Sequence, residues 1–198
     1  MQYTKKIKDI GFPNIEVTYF EDCYTSFAQR MFIENALYNI KSGTSKALID
    51  HIRNGHKDFI KRLPCISFSA LLSDSETVPK PSGLACLFFD KVKDLSSTKK
   101  TLSESKYIMA FWVSPFGDGI HALVKIPTTM SEEEYRSHYT DILKHFRHLK
   151  PNMKTKEINQ LCFESYDPNL YLNLQAFTFN KTKKINITSK DDTNKIAL

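Results

Sequence analysis

The sequence has no Cys-x-x-Cys pair: its four cysteines, Cys23, Cys65, Cys86 and Cys162, stand singly in apolar or aromatic surroundings. That excludes a zinc knuckle or a disulfide framework and predicts buried free thiols in a reducing, cytoplasmic setting. No run of about 18 apolar residues occurs, and the start Met1-Gln2-Tyr3-Thr4-Lys5-Lys6 leads into no signal-peptide core, so no membrane association is expected. A Gly-x-x-x-x-Gly-Lys-Ser/Thr loop is missing, which excludes an ATPase of that kind in this stretch. His-x-His is missing too, and with it the metal motif of a rolling-circle nickase.

What is present is the composition of a folded globule. Apolar residues make up 41% of the 198 positions and aromatics 12%, with 14 Phe and 9 Tyr. That is enough for one domain with a real core and room for a small appended lobe. The formal charge of +6 favours polyanionic partners.

Residues 1–14 read as an N-terminal arm, 15–179 as the domain and 180–198 as a flexible basic tail or linker, since no periodic apolar face follows Asn180. Within the domain a helical part spans about 27–62 and a sheet-bearing part about 65–179. Ile15 to Phe20 alternates as a strand. Phe27, Met31, Ala36 and Ile40 recur at helical intervals before Gly43, predicting a helix from Phe27 to Ile40. A second helix, capped by Thr44 or Ser45, ends at Asn54-Gly55, and a short helical turn follows up to Arg62. Cys65 to Leu72 reads as one strand, Ser73 to Pro81 as a loop, and Gly83 to Phe89 as a continuous apolar strand buried on both faces. Leu95 to Ser105 predicts a short helix, Ser131 and Glu134 a capping box opening a helix to Lys150, and Leu174 to Phe179 a last strand. The order of elements points to an α+β fold with a mainly antiparallel sheet covered by helices.

Four stretches carry candidate chemistry. Tyr107 to Val113 and His121 to Ile126 flank Ser114-Pro115-Phe116-Gly117-Asp118-Gly119 as a β-hairpin, in which Gly117 and Gly119 permit positive φ or the close approach of a ligand. With period two, His121, Leu123 and Lys125 share one face and Ala122, Val124 and Ile126 the other. His121 is then either a phosphate or substrate contact or a hydrogen-bonded structural residue. Asp90 ends the buried strand, where a carboxylate must be solvated, paired with Lys91 or Lys93, or bound to a cation. On the later helix His138, Asp141, His145 and His148 are spaced to share a face, read mainly as a solvated surface since no matching ligand set accompanies them. Leu161 to Asn173 is a strand entering a turn at Asp167-Pro168-Asn169.

Taken together, Leu63 to Ser69, Ser82 to Asp90, Val113 to Gly119 and Cys162 to Asn173 resemble, in order, the N-terminal domain of virulence-associated protein E-type replication proteins, within the archaeo-eukaryotic primase (primase-polymerase) superfamily. The resemblance implies an RRM-like sheet and metal-dependent nucleotidyl transfer with Mg²⁺ or Mn²⁺. It implies Asp90 and Asp167 as metal-binding acids, with His121 beside them at the catalytic centre. Ser114, Gly117, Gly119, His121 and Lys125 would hold a nucleoside triphosphate. Single-stranded DNA or a primer-template and a helicase-type ATPase would be the partners. Phe88 stands where the first acid of the implied acid-x-acid pair belongs, and Gln160 where an arginine is expected. The sequence therefore leaves two functions open. One is a DNA-directed nucleotidyltransferase of a mobile element. The other is a non-catalytic module holding single-stranded DNA or a replication partner by aromatic stacking, Trp112 included, and lysine contacts to phosphates.

Overall fold

Leu84 to Phe89 is apolar at every position and buried at every position, which requires packing on both faces of the sheet that contains it. The computed structural model, which describes residues 11–180 apart from 26, 74–75, 129–130 and 155–156, supplies that packing. The elements in chain order are β1 (Glu16–Phe20), β2 (Gln29–Phe32), α1 (Ile33–Ser42), α2 (Lys46–Arg53), a 3₁₀ turn (Lys57–Arg62), β3 (Cys65–Ser67), β4 (Ala70–Ser73), β5 (Glu76–Pro81) and β6 (Leu84–Phe89). They continue with α3 (Leu95–Ser103), β7 (Ile108–Val113), β8 (Ile120–Lys125), α4 (Glu132–His145), a 3₁₀ turn (Arg147–Leu149), β9 (Cys162–Phe163) and β10 (Tyr171–Leu172).

The strands form two four-stranded sheets, ordered β2-β1-β3-β9 and β10-β7-β8-β6, and the hairpin β4-β5. Every pairing among the described residues is antiparallel, so the α+β class with mainly antiparallel sheets holds. Period two divides the core. Ala85, Leu87, Phe89, Ala122 and Val124 face α4, whose Tyr135, Tyr139, Ile142 and Leu143 cover them. Leu84, Cys86, Phe88, Trp112 and Leu123 face the first sheet and α1, meeting Val17, Ile66, Cys162, Ile33 and Ile40. Each such Leu, Ile or Phe contributes about 1.5–3 kcal/mol by leaving water. The strand order thus makes the second sheet the middle layer. Trp112, fully buried against Phe68 with ring centroids 5.3 Å apart, has no face left for the base stacking expected of it.

Helix ends follow their capping chemistry. Ser131 Oγ accepts from Glu134 N (3.2 Å) while Glu134 Oε2 accepts from Ser131 N (2.7 Å), the capping box expected for α4. Gly43 ends α1 at φ 84°, donating to Asn39 O (2.9 Å); an added Cβ there would also lie 2.9 Å from the Tyr166 ring.

Four expected elements differ. The helix expected from Phe27 begins only at Ile33: Gln29–Phe32 alternates between half-buried and exposed and pairs with β1 instead. Spacing of Phe27 and Met31 by four suits a helix, but Gln29 and Met31 fit a strand of period two equally, and β1 supplies the partner. The strand from Cys65 breaks after Ser67, so that Ala70 turns into the β4-β5 hairpin. The expected loop up to Pro81 contains β5, whose Pro79 and Pro81 are tolerated because β5 has only β4 as a neighbour. Leu174 to Phe179 is held by isolated bonds, Phe177 N to Lys106 O (2.9 Å) and Phe179 N to Lys125 O (2.7 Å), and not by a ladder; the last strand is β10. The first ten residues of the expected arm and the tail beyond 180 lie outside the described residues. No helix among the described residues is long and apolar enough to cross a membrane.

Candidate functional site

The hairpin turn is closed by its own groups. Ser114 N donates to Gly119 O (2.9 Å), Gly119 N to Ser114 Oγ (3.0 Å) and Gly117 N to Ser114 O (3.0 Å). Gly117 needs its glycine for φ 82°; Gly119 needs it for space, since a Cβ would lie 2.6 Å from Phe89 O. The Ser114 hydroxyl and the Gly119 amide, both expected to hold a triphosphate, are thus bonded to each other. His121 is buried beneath them, its Nδ1 3.1 Å from Cys162 Sγ and its ring edge-on to Phe88 and Trp112. Lys125 Nζ donates to Leu174 O (2.7 Å), and partial burial holds its pKa below the usual lysine range.

Asp167 is 4% exposed and fully committed: Oδ2 accepts from Val113 N (2.9 Å) and Lys99 Nζ (3.3 Å), and Oδ1 from Asn169 N (2.9 Å). Arg53 Nη2 donates to Ser114 O (3.1 Å) and Tyr166 O (2.9 Å), and Ser165 Oγ to Val113 O (2.7 Å). Glu164 accepts from Ser45 Oγ (2.6 Å) and Asn39 Nδ2 (3.4 Å); burial raises its pKa against the pull of those two donors. The segment from Glu164 to Asn169 is therefore a polar brace tying α1, α2 and α3 to the hairpin. Asp90 has a separate place, exposed beyond β6 and accepting from Asn152 Nδ2 (2.7 Å).

These residues do not fit a pair of catalytic cations. Asp90 and Asp167 have different partners, the implied first-acid position on β6 is Phe88 packed on His121, and no group of three or more His, Cys, Asp or Glu side chains among the described residues is placed to hold a metal. The face of α4 carries no such group either: His138 Nδ1 lies 3.2 Å from Glu134 O, and His145 sits among aromatic rings.

What Asp90 does border is a cleft of about 270 Å³ beyond the end of β6, lined by Lys91, Lys93, Asp94, His148 and Lys150 among others. Lys91 (φ 49°) and Lys150 (φ 55°) are the non-glycine positive-φ residues among those described, and both line it. Each costs about 1–2 kcal/mol for an L-residue. The surroundings impose the strain: Val92 N donates to Asp118 O (2.7 Å) just after Lys91, and Asn152 N to Phe88 O (2.7 Å) just after Pro151. Lys91, Lys93 and Lys150 are exposed and form no ion pair with any described residue. Of the two carboxylates beside them, Asp94 is the N-cap of α3, accepting from Ser97 N (2.9 Å), and Asp90 is held by Asn152. Asn152 is thereby a positioning residue that the sequence did not flag. Sequence reasoning also weighed Lys91 and Lys93 only as counter-ions of Asp90. Lys150 lies far along the chain, and its approach was legible only as a helix ending before Pro151.

Residues 58–172, more than half of the chain, match the family described as BT4734-like, N-terminal domain. This corrects the resemblance to virulence-associated protein E-type replication proteins, which is a different family; the primase and replication functions attached to that resemblance have no support in the match. No curated protein and no solved structure matches the chain. The matched span runs from the 3₁₀ turn after α2 to β10, takes in the whole second sheet but only β3 and β9 of the first, and includes the Glu164 to Asn169 segment and the lysine cleft, and on that extent the chain belongs to the BT4734-like, N-terminal domain family.

Proposed function

We propose that this domain is a non-catalytic module that binds single-stranded nucleic acid, with the cleft beyond β6 seating its phosphates. The observation that carries the reading is the convergence on one cleft of three lysines that form no ion pair with a described residue, two of them in strained backbone. Cations held together repel one another, and an anion seated among them turns that repulsion into attraction. The cleft draws Lys91 and Lys93 from the segment after β6 and His148 with Lys150 from the segment after α4, so its cations come from two remote stretches, as suits contacts to an extended strand rather than to one buried anion. The Asp90 to Asn152 bond ties the two segments together. The formal charge of +6 adds a longer-range attraction. Three buried free thiols suit a reducing, cytoplasmic setting.

The test is fluorescence anisotropy of a labelled oligothymidylate titrated with the full chain at several salt concentrations. Wild type should bind with an affinity that falls as salt rises, and each of Lys91→Ala, Lys93→Ala and Lys150→Ala should weaken binding and flatten the salt dependence by about 0.7 per lost contact. Binding that is independent of salt, or untouched by all three substitutions, would overturn the proposal.

A further inference from the structure

Beside the lysine cleft, and sharing His148 with it, is a second cavity of about 280 Å³ whose chemistry is different. Its walls include Tyr107, His145 and Phe146, and its charged groups are Glu104 and Lys106, which offset each other. The His145 ring is set by three perpendicular contacts, with Tyr107 (centroids 5.4 Å apart), Phe146 (4.8 Å) and Phe179 (5.6 Å). Partial burial, with the neighbouring His148 and Lys106, lowers its pKa and so disfavours the charged ring. Lys106 Nζ lies over both the Tyr107 ring (5.2 Å) and the Phe177 ring (5.8 Å), and Phe177 is 63% exposed although its backbone is pinned to Lys106 O at 2.9 Å.

The exposed Phe177 ring on its fixed backbone is linked through Lys106 to the wall of Tyr107 and His145, and a flat apolar group laid there would remove aromatic surface from water. A phosphate gains little here, because the charges of the chamber cancel. A nucleobase gains from stacking, from the cation above the rings and from the hydrogen-bonding edges of Glu104 and His145. We propose that this chamber is a nucleobase-stacking subsite, in which His145 and Tyr107 on its walls, with Phe177 joined to its edge through Lys106, take a base of the strand whose phosphates lie in the adjoining lysine cleft. This rests on the reading of that cleft as a strand-binding surface, and it adds that the ligand must carry accessible bases.

The test compares two labelled strands of equal length and charge, oligothymidylate and a fully abasic oligonucleotide, each titrated with the full chain at one salt concentration. The expected result is thymidylate bound about five- to tenfold more tightly than the abasic strand. In the His145→Ala/Phe177→Ala variant the difference should disappear while abasic binding is unchanged, and His145→Phe with Phe177→Trp should restore it. The altered side chains are exposed, and a thermal melt identifies any loss of fold. Equal binding of the two strands by the wild type overturns the base subsite and leaves the lysine cleft standing. Failure of both strands to bind overturns the cleft and the subsite together.

Discussion

Replacing Lys91 by glycine should make the protein more stable and a poorer binder at once. Lys91 sits at φ 49°, where an L-residue costs about 1–2 kcal/mol and glycine almost nothing. Glycine returns about 0.5–1 kcal/mol of that gain through the greater freedom of the unfolded chain. The Lys91 side chain is exposed and makes no ion pair with a described residue, so its removal costs the fold nothing further. The net is a stabilisation of about 0.5–1 kcal/mol, which for a chain of this size raises Tm by roughly 1–4 °C. Lys91→Ala is the control: it deletes the same charge but leaves a Cβ in the left-handed region, so Tm should stay level or fall. Both variants should weaken oligothymidylate binding equally and reduce its salt slope by about 0.7. Differential scanning fluorimetry reads the first effect and anisotropy the second. A lower Tm for Lys91→Gly would refute the strain argument, and unchanged binding in both variants would refute the role of Lys91 at a phosphate.

Other consequences are independent of the ligand. Glu164 has a folded pKa raised by burial, so the folded chain holds its proton to higher pH than the unfolded chain does. The resulting penalty is present above the folded pKa and is relieved as pH falls through it towards the unfolded value of about 4.3. Glu164→Gln should therefore gain most in Tm over wild type near pH 8 and lose that advantage near pH 4, as thermal melts across pH would record. Asp167→Ala strands the amides of Val113 and Asn169 and should cost about 2–4 kcal/mol in urea unfolding, because both donors are left without their acceptor. Gly119→Ala drives a Cβ to 2.6 Å from Phe89 O and should cost about 1–3 kcal/mol, although no positive φ is involved. Of the four thiols only half-buried Cys23 should react quickly with a thiol reagent in the native state; Cys65, whose burial pushes its pKa up to about 12, should react only after unfolding.

Much of the fold was legible because periodicity and capping are local. Leu84–Phe89 announced a strand buried on both sides, Ser131 and Glu134 announced the start of α4, and the glycines of the hairpin turn fell where the turn needs them. What stayed hidden depended on partners remote in sequence. Gln29–Phe32 is a strand because β1 lies beside it, and β5 exists because a hairpin with β4 accommodates its prolines. The polar residues around the hairpin were read as ligand contacts, since the sequence shows Ser114, His121 and Asp167 as unused chemistry. In the folded chain each is already spent on a neighbour: Ser114 on Gly119, His121 beside Cys162, and Asp167 on two amides and Lys99.

That spending is what moves function away from the sheet. A middle-layer sheet uses both faces for core, so neither Trp112 nor His121 has a surface to offer a partner. At the end of β6 the chain leaves the core with an exposed carboxylate, turns through a strained lysine and meets the equally strained Lys150. Glycine or asparagine would occupy such positions at lower cost, although at Lys150 the left-handed backbone ends the 3₁₀ turn, its N donating to Arg147 O (3.1 Å). On the proposed function, the charge gathered where β6 emerges, with an aromatic chamber alongside, is a surface whose cation repulsion would be relieved by the phosphates of a bound strand while its bases cover the rings.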